Sequence, residues 1–273
     1  MSVASPWRGE LRAQAALFVR AARTNFAYKP AMLLGMATVG LSYAVPMLVW
    51  KQIYAQPRVH LPVPASQLFP YLLLAAALNF CSSMGVEWRV GQRIRLGLIA
   101  TDLLRPVDFQ LTQLAQALAD VWLNTVMVLP FVALSYLLWG HTALPHDAVA
   151  FAGFCASALL ALLIQFAVAF IFVQTAFITL SNYGIFVARA ALQLTFSGVS
   201  APLALFPPLL RGVAQRLPFC HTIYTPVSIY LGSISGRALV EALAIQAAWA
   251  LGLLVLGRAL LQLSLRYLDI QGG

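Results

Sequence analysis

The strongest constraint on this chain is a run of 41 residues, Ala148 to Ala188, without one charged side chain. As a single helix it would be about 60 Å long, twice the ~30 Å hydrocarbon core of a bilayer. It must therefore fold back, and Ser181-Asn182-Tyr183-Gly184 is the turn-like cluster near its far end. Composition agrees. Of 273 residues, 61% are hydrophobic and only 9% charged, whereas a soluble domain carries about a quarter charged residues. A polytopic membrane protein fits, and a soluble enzyme or nucleic-acid binder does not. The net charge of +9 then reflects topology and anionic headgroups.

Stretches of about 20 mostly apolar residues mark the crossings. Ala31 to Trp50 is the first and Leu68 to Val86 the second. The third runs roughly from Leu118 to Trp139, with Asp120 at its start. The long uncharged run supplies the fourth, over 148–175, and the fifth, over 186–206. Ala238 to Leu260 is the sixth. The expected fold is all-α, one transmembrane domain over 1–273 with six spans. With the N-terminus inside, twelve Lys and Arg residues fall on the inner segments and five on the outer, which places both termini in the cytoplasm. Glu10 and Arg12 interrupt any short apolar run near the start, so no signal peptide is expected.

Three segments are not spans. Over 6–28, Trp7, Leu11, Phe18 and Ala22 lie on one side of a helix while Arg8, Arg12, Arg20 and Arg23 lie on the other. That is the pattern of an interfacial elbow helix on the inner leaflet, serving as an anchor or also touching a cytoplasmic partner. The inner loop 87–113 is rich in arginine, which the positive-inside rule alone would explain. Its apolar residues Leu98, Ile99, Leu103, Leu104 and Val107 are another matter, because a mere connector has no need of such a ridge in water. A short helix ended by Arg105-Pro106, with Asp102 beside its leucine face, is expected to dock a partner. The outer segment 207–236 is broken by Pro207, Pro208, Pro218 and Pro226, yet Leu210, Val213, Ala214 and Leu217 keep helical spacing. Short helices dipping into the outer interface or the protein interior fit it.

Catalytic groupings are sparse. Cys81, Cys155 and Cys220 show neither metal-ligand nor disulfide spacing. Gly232-Ser233-Ile234-Ser235-Gly236 has Ile234 where a nucleophile elbow has its serine. His60, His141, His146 and His221 all fall in outer segments, and a solvated loop is favoured over a metal site for His141, His146 and Asp147. Asp120 and Glu241 lie at opposite membrane faces, so no acid/base pair forms. No phosphate-binding G-x-x-x-x-G-K occurs. The polar residues within spans are amides: Asn79, Asn124, Gln165, Gln174, Gln193 and Gln246. Interhelical hydrogen bonding is the plainer role for most of them; Asn79, Asn124, Gln165 and Gln193 are the candidates to line a conduit.

Two stretches carry a family resemblance. One is Gly97-Leu98-Ile99-Ala100-Thr101-Asp102-Leu103-Leu104-Arg105-Pro106-Val107-Asp108. The other runs from Phe196-Ser197-Gly198 through Ala201-Pro202-Leu203-Ala204-Leu205-Phe206-Pro207 to Leu217-Pro218-Phe219 and Tyr224-Thr225-Pro226. With the layout of the whole chain, they resemble the ABC-2 type permeases of ATP-binding-cassette exporters, in the bacterial subgroup of paired six-span permeases with a separate ATPase. The resemblance implies that Gly97 and Asp102 to Val107 belong to a coupling helix seated in an ATPase cleft. It implies that Pro207, Leu217, Pro218, Phe219 and Pro226 belong to a re-entrant cap over the conduit. It also implies a second permease protomer, the same or a related chain, in a bacterial inner membrane. ATP and Mg would be held by the ATPase and no cofactor by this chain. An amphiphilic or lipid-like substrate is expected. An ion-coupled carrier, a membrane-embedded enzyme and a non-transporting assembly factor are the competing readings.

Overall fold

The computed structural model describes residues 29–56, 61–104, 107–139, 147–179 and 183–265. The expected elbow helix at 6–28 lies outside these residues, as do Arg105 and Pro106 of the inner loop. The described residues form helices and no strand. Helix α1 spans Lys29–Tyr54, α2 Ala65–Cys81, α3 Val86–Arg95 and α4 Ile99–Leu103. Then come α5 (Phe109–Trp139), α6 (Ala148–Gln174), α7 (Ala176–Thr179) and α8 (Tyr183–Phe196). Short 3-10 turns at Leu203–Leu205 and Pro218–Thr222 alternate with α9 (Pro208–Gln215) and α10 (Tyr224–Tyr230), before α11 (Gly236–Leu265).

Among the described residues, four helical stretches are long and apolar enough to cross a membrane: Ala65–Arg95, Phe109–Ala133, Ala148–Gln174 and Gly236–Ser264. The 26 residues of α1 cover the expected first span and carry no charge between Lys29 and Lys51. Several boundaries differ from the sequence expectation. Helix α5 begins at Phe109, nine residues before Leu118, because its first turns are amphipathic rather than uniformly apolar. The second crossing is interrupted at 82–85, where α2 ends and α3 begins. Helix α8 stops at Phe196 and is only 14 residues, about 21 Å, long. Residues 197–202 beyond it are not helical, so the stretch expected as a fifth span is half helix and half irregular chain.

Helix α6 is the central post. It packs on α11, α10, α3 and the Pro218–Thr222 turn. Helices α6 and α11 run parallel: the Ser157 hydroxyl donates to Gln246 Oε1 at 2.8 Å near one end, and Gln174 Nε2 donates to the Gly257 carbonyl at 2.9 Å near the other. Bare backbone at Gly153 and Gly257 lets the two approach, since a Cβ would meet Leu239 at 2.9 Å and Phe170 at 3.2 Å. One buried cluster joins Val86, Val90, Ile94, Ile99, Phe109, Phe166 and Phe170 at the arginine-rich end. A second, holding Tyr71, Leu72, Ile223 and Val227, lies toward the proline-rich end.

Candidate functional site

The loop after α3 is built by a short sequence of local choices. Helix α3 ends when Gly97 takes φ +70°, a left-handed conformation in which glycine has no Cβ penalty. Its N–H returns to the Ile94 carbonyl at 3.0 Å. The chain then turns into α4, and Arg93 reaches across to it. Arg93 Nη2 donates to Asp102 Oδ1 at 2.7 Å while its Nε donates to Oδ2. This is the two-pronged guanidinium–carboxylate geometry, stronger and more directional than a single contact. Asp102, which the sequence sets beside the leucine face where it could help orient a docking contact, forms an internal clamp that holds α4 on α3.

The apolar residues of the loop divide between inside and outside. Ile99 is 2% exposed and belongs to the core, which corrects its expected place on the ridge. Leu104 is 85% exposed, and Leu98 and Leu96 are exposed as well. Val107 is half-buried, lining a cleft beside the loop. The side chain of Leu103 lies outside the described residues. The outward surface is therefore Leu96, Leu98 and Leu104, of which Leu96 has no place in the sequence reading.

Among the described residues, three more ion pairs tie this end together. Glu87 and Arg189 join α3 to α8, Arg89 and Asp120 join α3 to α5, and Asp108 meets Arg258 of α11 at 2.6 Å. The Glu87–Arg189 pair is buried, at 2% and 8% exposure. The backbone N–H of Gly85 also donates to Asp120, at 3.3 Å, and Asn124 Nδ2 donates to the Ser83 carbonyl at 2.8 Å. The interruption at 82–85 is thus satisfied by the polar face of α5. A cleft of about 250 Å³ opens here, lined by Arg89, Arg93, Asp102, Phe109, Gln113 and Gln116 among others. The positive-inside rule alone accounts for these arginines in the sequence; the carboxylate partners of Arg89, Arg189 and Arg258 lie too far along the chain for local patterning to reveal.

At the opposite end, Tyr71 donates to the Gly198 carbonyl at 2.7 Å, and Trp50 Nε1 to the Ser200 carbonyl at 3.2 Å. Pro207 precedes α9 as its N-cap. Arg211 folds back on the carbonyls of Leu203, at 3.0 Å, and Phe206, at 3.2 Å. Pro218, Phe219 and Pro226 are buried and Leu217 partly so. Gln246 Nε2 donates to the His221 carbonyl at 2.8 Å, and Gln193 Nε2 to the Thr222 hydroxyl at 2.9 Å. Burial lowers the His221 pKa to about 4. The segment is a folded plug held against α6, α8 and α11.

A family model described as "ABC-2 family transporter protein" matches residues 67–272. The chain belongs to the ABC-2 transporter family. No curated protein matches it. The match takes in both the clamped loop and the plug, so this ABC-2 chain is a multi-pass membrane protein whose family-matched region carries the two features set out above.

The four amides expected to line a conduit have different surroundings in the ABC-2 chain. Gln193 holds the plug and Asn124 holds the helix interruption. Asn79 is half-buried at the end of α2. Gln165 is 5% exposed in the middle of α6, with its Oε1 unpartnered among the described residues.

Proposed function

We propose that this ABC-2 chain is the membrane-spanning permease subunit of an ABC exporter. Two protomers, identical or related, form a conduit for an amphiphilic small molecule or lipid-like substrate, and separate ATPase subunits drive it. The arginine-rich end is cytoplasmic, six crossings bring both termini inside, and the protein resides in a bacterial inner membrane. ATP and Mg belong to the ATPase.

The observation that carries this reading is Leu104, exposed on a loop helix that Arg93 and Asp102 fasten to α3. Covering a large apolar side chain yields about 1.5–3 kcal/mol, and a fastened helix transmits displacement where a free loop would absorb it. Motion imposed on α4 by the ATPase passes through α3 to α5 and α8 by way of Asp120 and Arg189. The test is a photo-crosslinking residue at position 104 in living cells. A nucleotide-binding protein should be captured there and not from a control at Arg237, at the opposite end. Capture of no nucleotide-binding protein from position 104 contradicts the reading.

A further inference from the structure

Helices α3 and α8 meet at a second cleft, of about 300 Å³, lined among the described residues by Trp88, Tyr183, Phe186 and Glu87. Its accessible wall is apolar throughout. Trp88, Tyr183 and Phe186 are 64%, 75% and 46% exposed, so three large side chains converge on one hollow without filling it. The walls are braced by an ion pair. Glu87 precedes Trp88, while Tyr183, Phe186 and Arg189 recur every three residues along one side of α8. Glu87 and Arg189 join, which sets the spacing of the rings before any ligand arrives. The two are buried and neutralise each other, so they leave no free charge in the cleft.

The cleft differs in kind from the other exposed apolar surfaces. Leu41, Val45 and Leu48 on α1, and Leu251, Val255 and Leu256 on α11, are aliphatic. Acyl chains pack on such surfaces without needing rings. In the cleft the described wall has three aromatic side chains and no aliphatic one. Aromatic rings are best matched by another ring, in offset or edge-to-face contact. A lone tryptophan or tyrosine near a membrane surface serves as an anchor. Three that converge from two braced helices form a pocket.

We infer that the cleft between α3 and α8 binds an uncharged, flat aromatic group, inserted between Trp88 on one wall and Tyr183 and Phe186 on the other. The inference deepens the permease reading, and rests on it for the inner leaflet as the side from which an aromatic amphiphile enters. Binding itself needs neither an ATPase nor transport, so it can fail while that reading stands.

The test is contact quenching of tryptophan fluorescence in the full chain, purified into lipid nanodiscs and titrated with 4-bromobiphenyl. The Trp88 signal is the difference between the unaltered chain and Trp88→Phe, which keeps a ring in the wall. Trp122, exposed on α5 and no part of the described wall, supplies the control through Trp122→Phe. Trp88 quenching should saturate at probe concentrations that leave Trp122 scarcely quenched. Phe186→Ala should raise the half-saturating concentration about tenfold, and Tyr183→Ala severalfold. Equal, unsaturated quenching of both tryptophans would reduce Trp88 to a surface anchor and overturn the inference. Saturable quenching of Trp88 by a phospholipid brominated on its acyl chains, with none by 4-bromobiphenyl, overturns it in favour of a lipid tail. Quenching of Trp88 by neither means that the cleft is closed, as by a second copy of the chain, and overturns it as well. So does an unchanged half-saturation in whichever alanine variant folds.

Discussion

Arg93 and Asp102 are nine residues apart and joined by two parallel bonds, with Nη2 2.7 Å from Oδ1. The pair makes α3 and α4 one mechanical piece, with Leu98 and Leu104 on its outside and Ile99 rooted in the core. Asp102→Asn preserves the shape of the acceptor and removes its charge. The arginine side is open to water, which tempers the loss. Amide exchange over 99–104 should rise about tenfold in this variant. Exchange at the unaltered rate would show that the clamp does not hold the helix.

The Glu87–Arg189 pair is a different case, because water cannot replace a lost partner there. Arg189→Met leaves a carboxylate stranded in the interior at a cost of about 3–5 kcal/mol. Glu87→Gln together with Arg189→Met removes both charges. The single variant should unfold at a lower temperature than the double one, as followed by tryptophan fluorescence in detergent. The reverse order would mean that Glu87 is solvated in the folded chain.

These two pairs show where sequence reading reaches and where it ends. Hydropathy is a local sum, so it located Ala148–Gln174 almost to the residue. It missed the first turns of α5, since Gln110, Thr112, Gln113 and Gln116 lower the average while folding against neighbouring elements. Helical spacing anticipated a leucine ridge but could not tell that Ile99 turns inward, because the direction of the ridge depends on the Arg93 clamp. The separations between Glu87 and Arg189, and between Asp108 and Arg258, exceed any local pattern. The plug was legible as short broken helices from its prolines, whereas its anchors, Tyr71 and Gln246, lie on other helices.

Gly198 has φ +81°, and a Cβ there would meet Leu203 Cδ1 and the Tyr71 hydroxyl, each at 2.8 Å. Neither can retreat, since Leu203 is fully buried and Tyr71 donates to the Gly198 carbonyl. Gly198→Ala should cost about 1–3 kcal/mol through conformation and overpacking together. Tyr71→Phe, losing one hydrogen bond, should cost about 1 kcal/mol. Limited proteolysis between α8 and α10 should rank the two in that order; equal resistance would contradict the tight approach.

His221 makes the plug sensitive to acid. Its pKa falls from the usual 6.5 to about 4 through burial, so between those values the unfolded segment binds a proton that the folded one excludes. Stability is complete above about 6.5 and declines as the pH drops toward 4. The neighbouring Cys220 thiol, pushed up to about 12, stays neutral throughout this window. Amide exchange over 218–230, corrected for its intrinsic pH dependence, should be about tenfold or more faster at pH 4.5 than at pH 7.5. His221→Gln should flatten the difference; a profile that Gln leaves unchanged would assign it to another group.

The central claim is that the clamped loop is the seat of an ATPase. Its most direct measurement is affinity purification of the tagged chain from gently solubilised membranes, with the co-purifying ATP hydrolysis and its stoichiometry recorded for the unaltered protein and for Leu104→Asp. The account predicts an ATPase subunit at roughly one per permease, greatly depleted by Leu104→Asp while the variant still inserts in the membrane at normal abundance. An unaltered chain that purifies with no nucleotide-binding companion, or a variant that keeps the full complement, would contradict it.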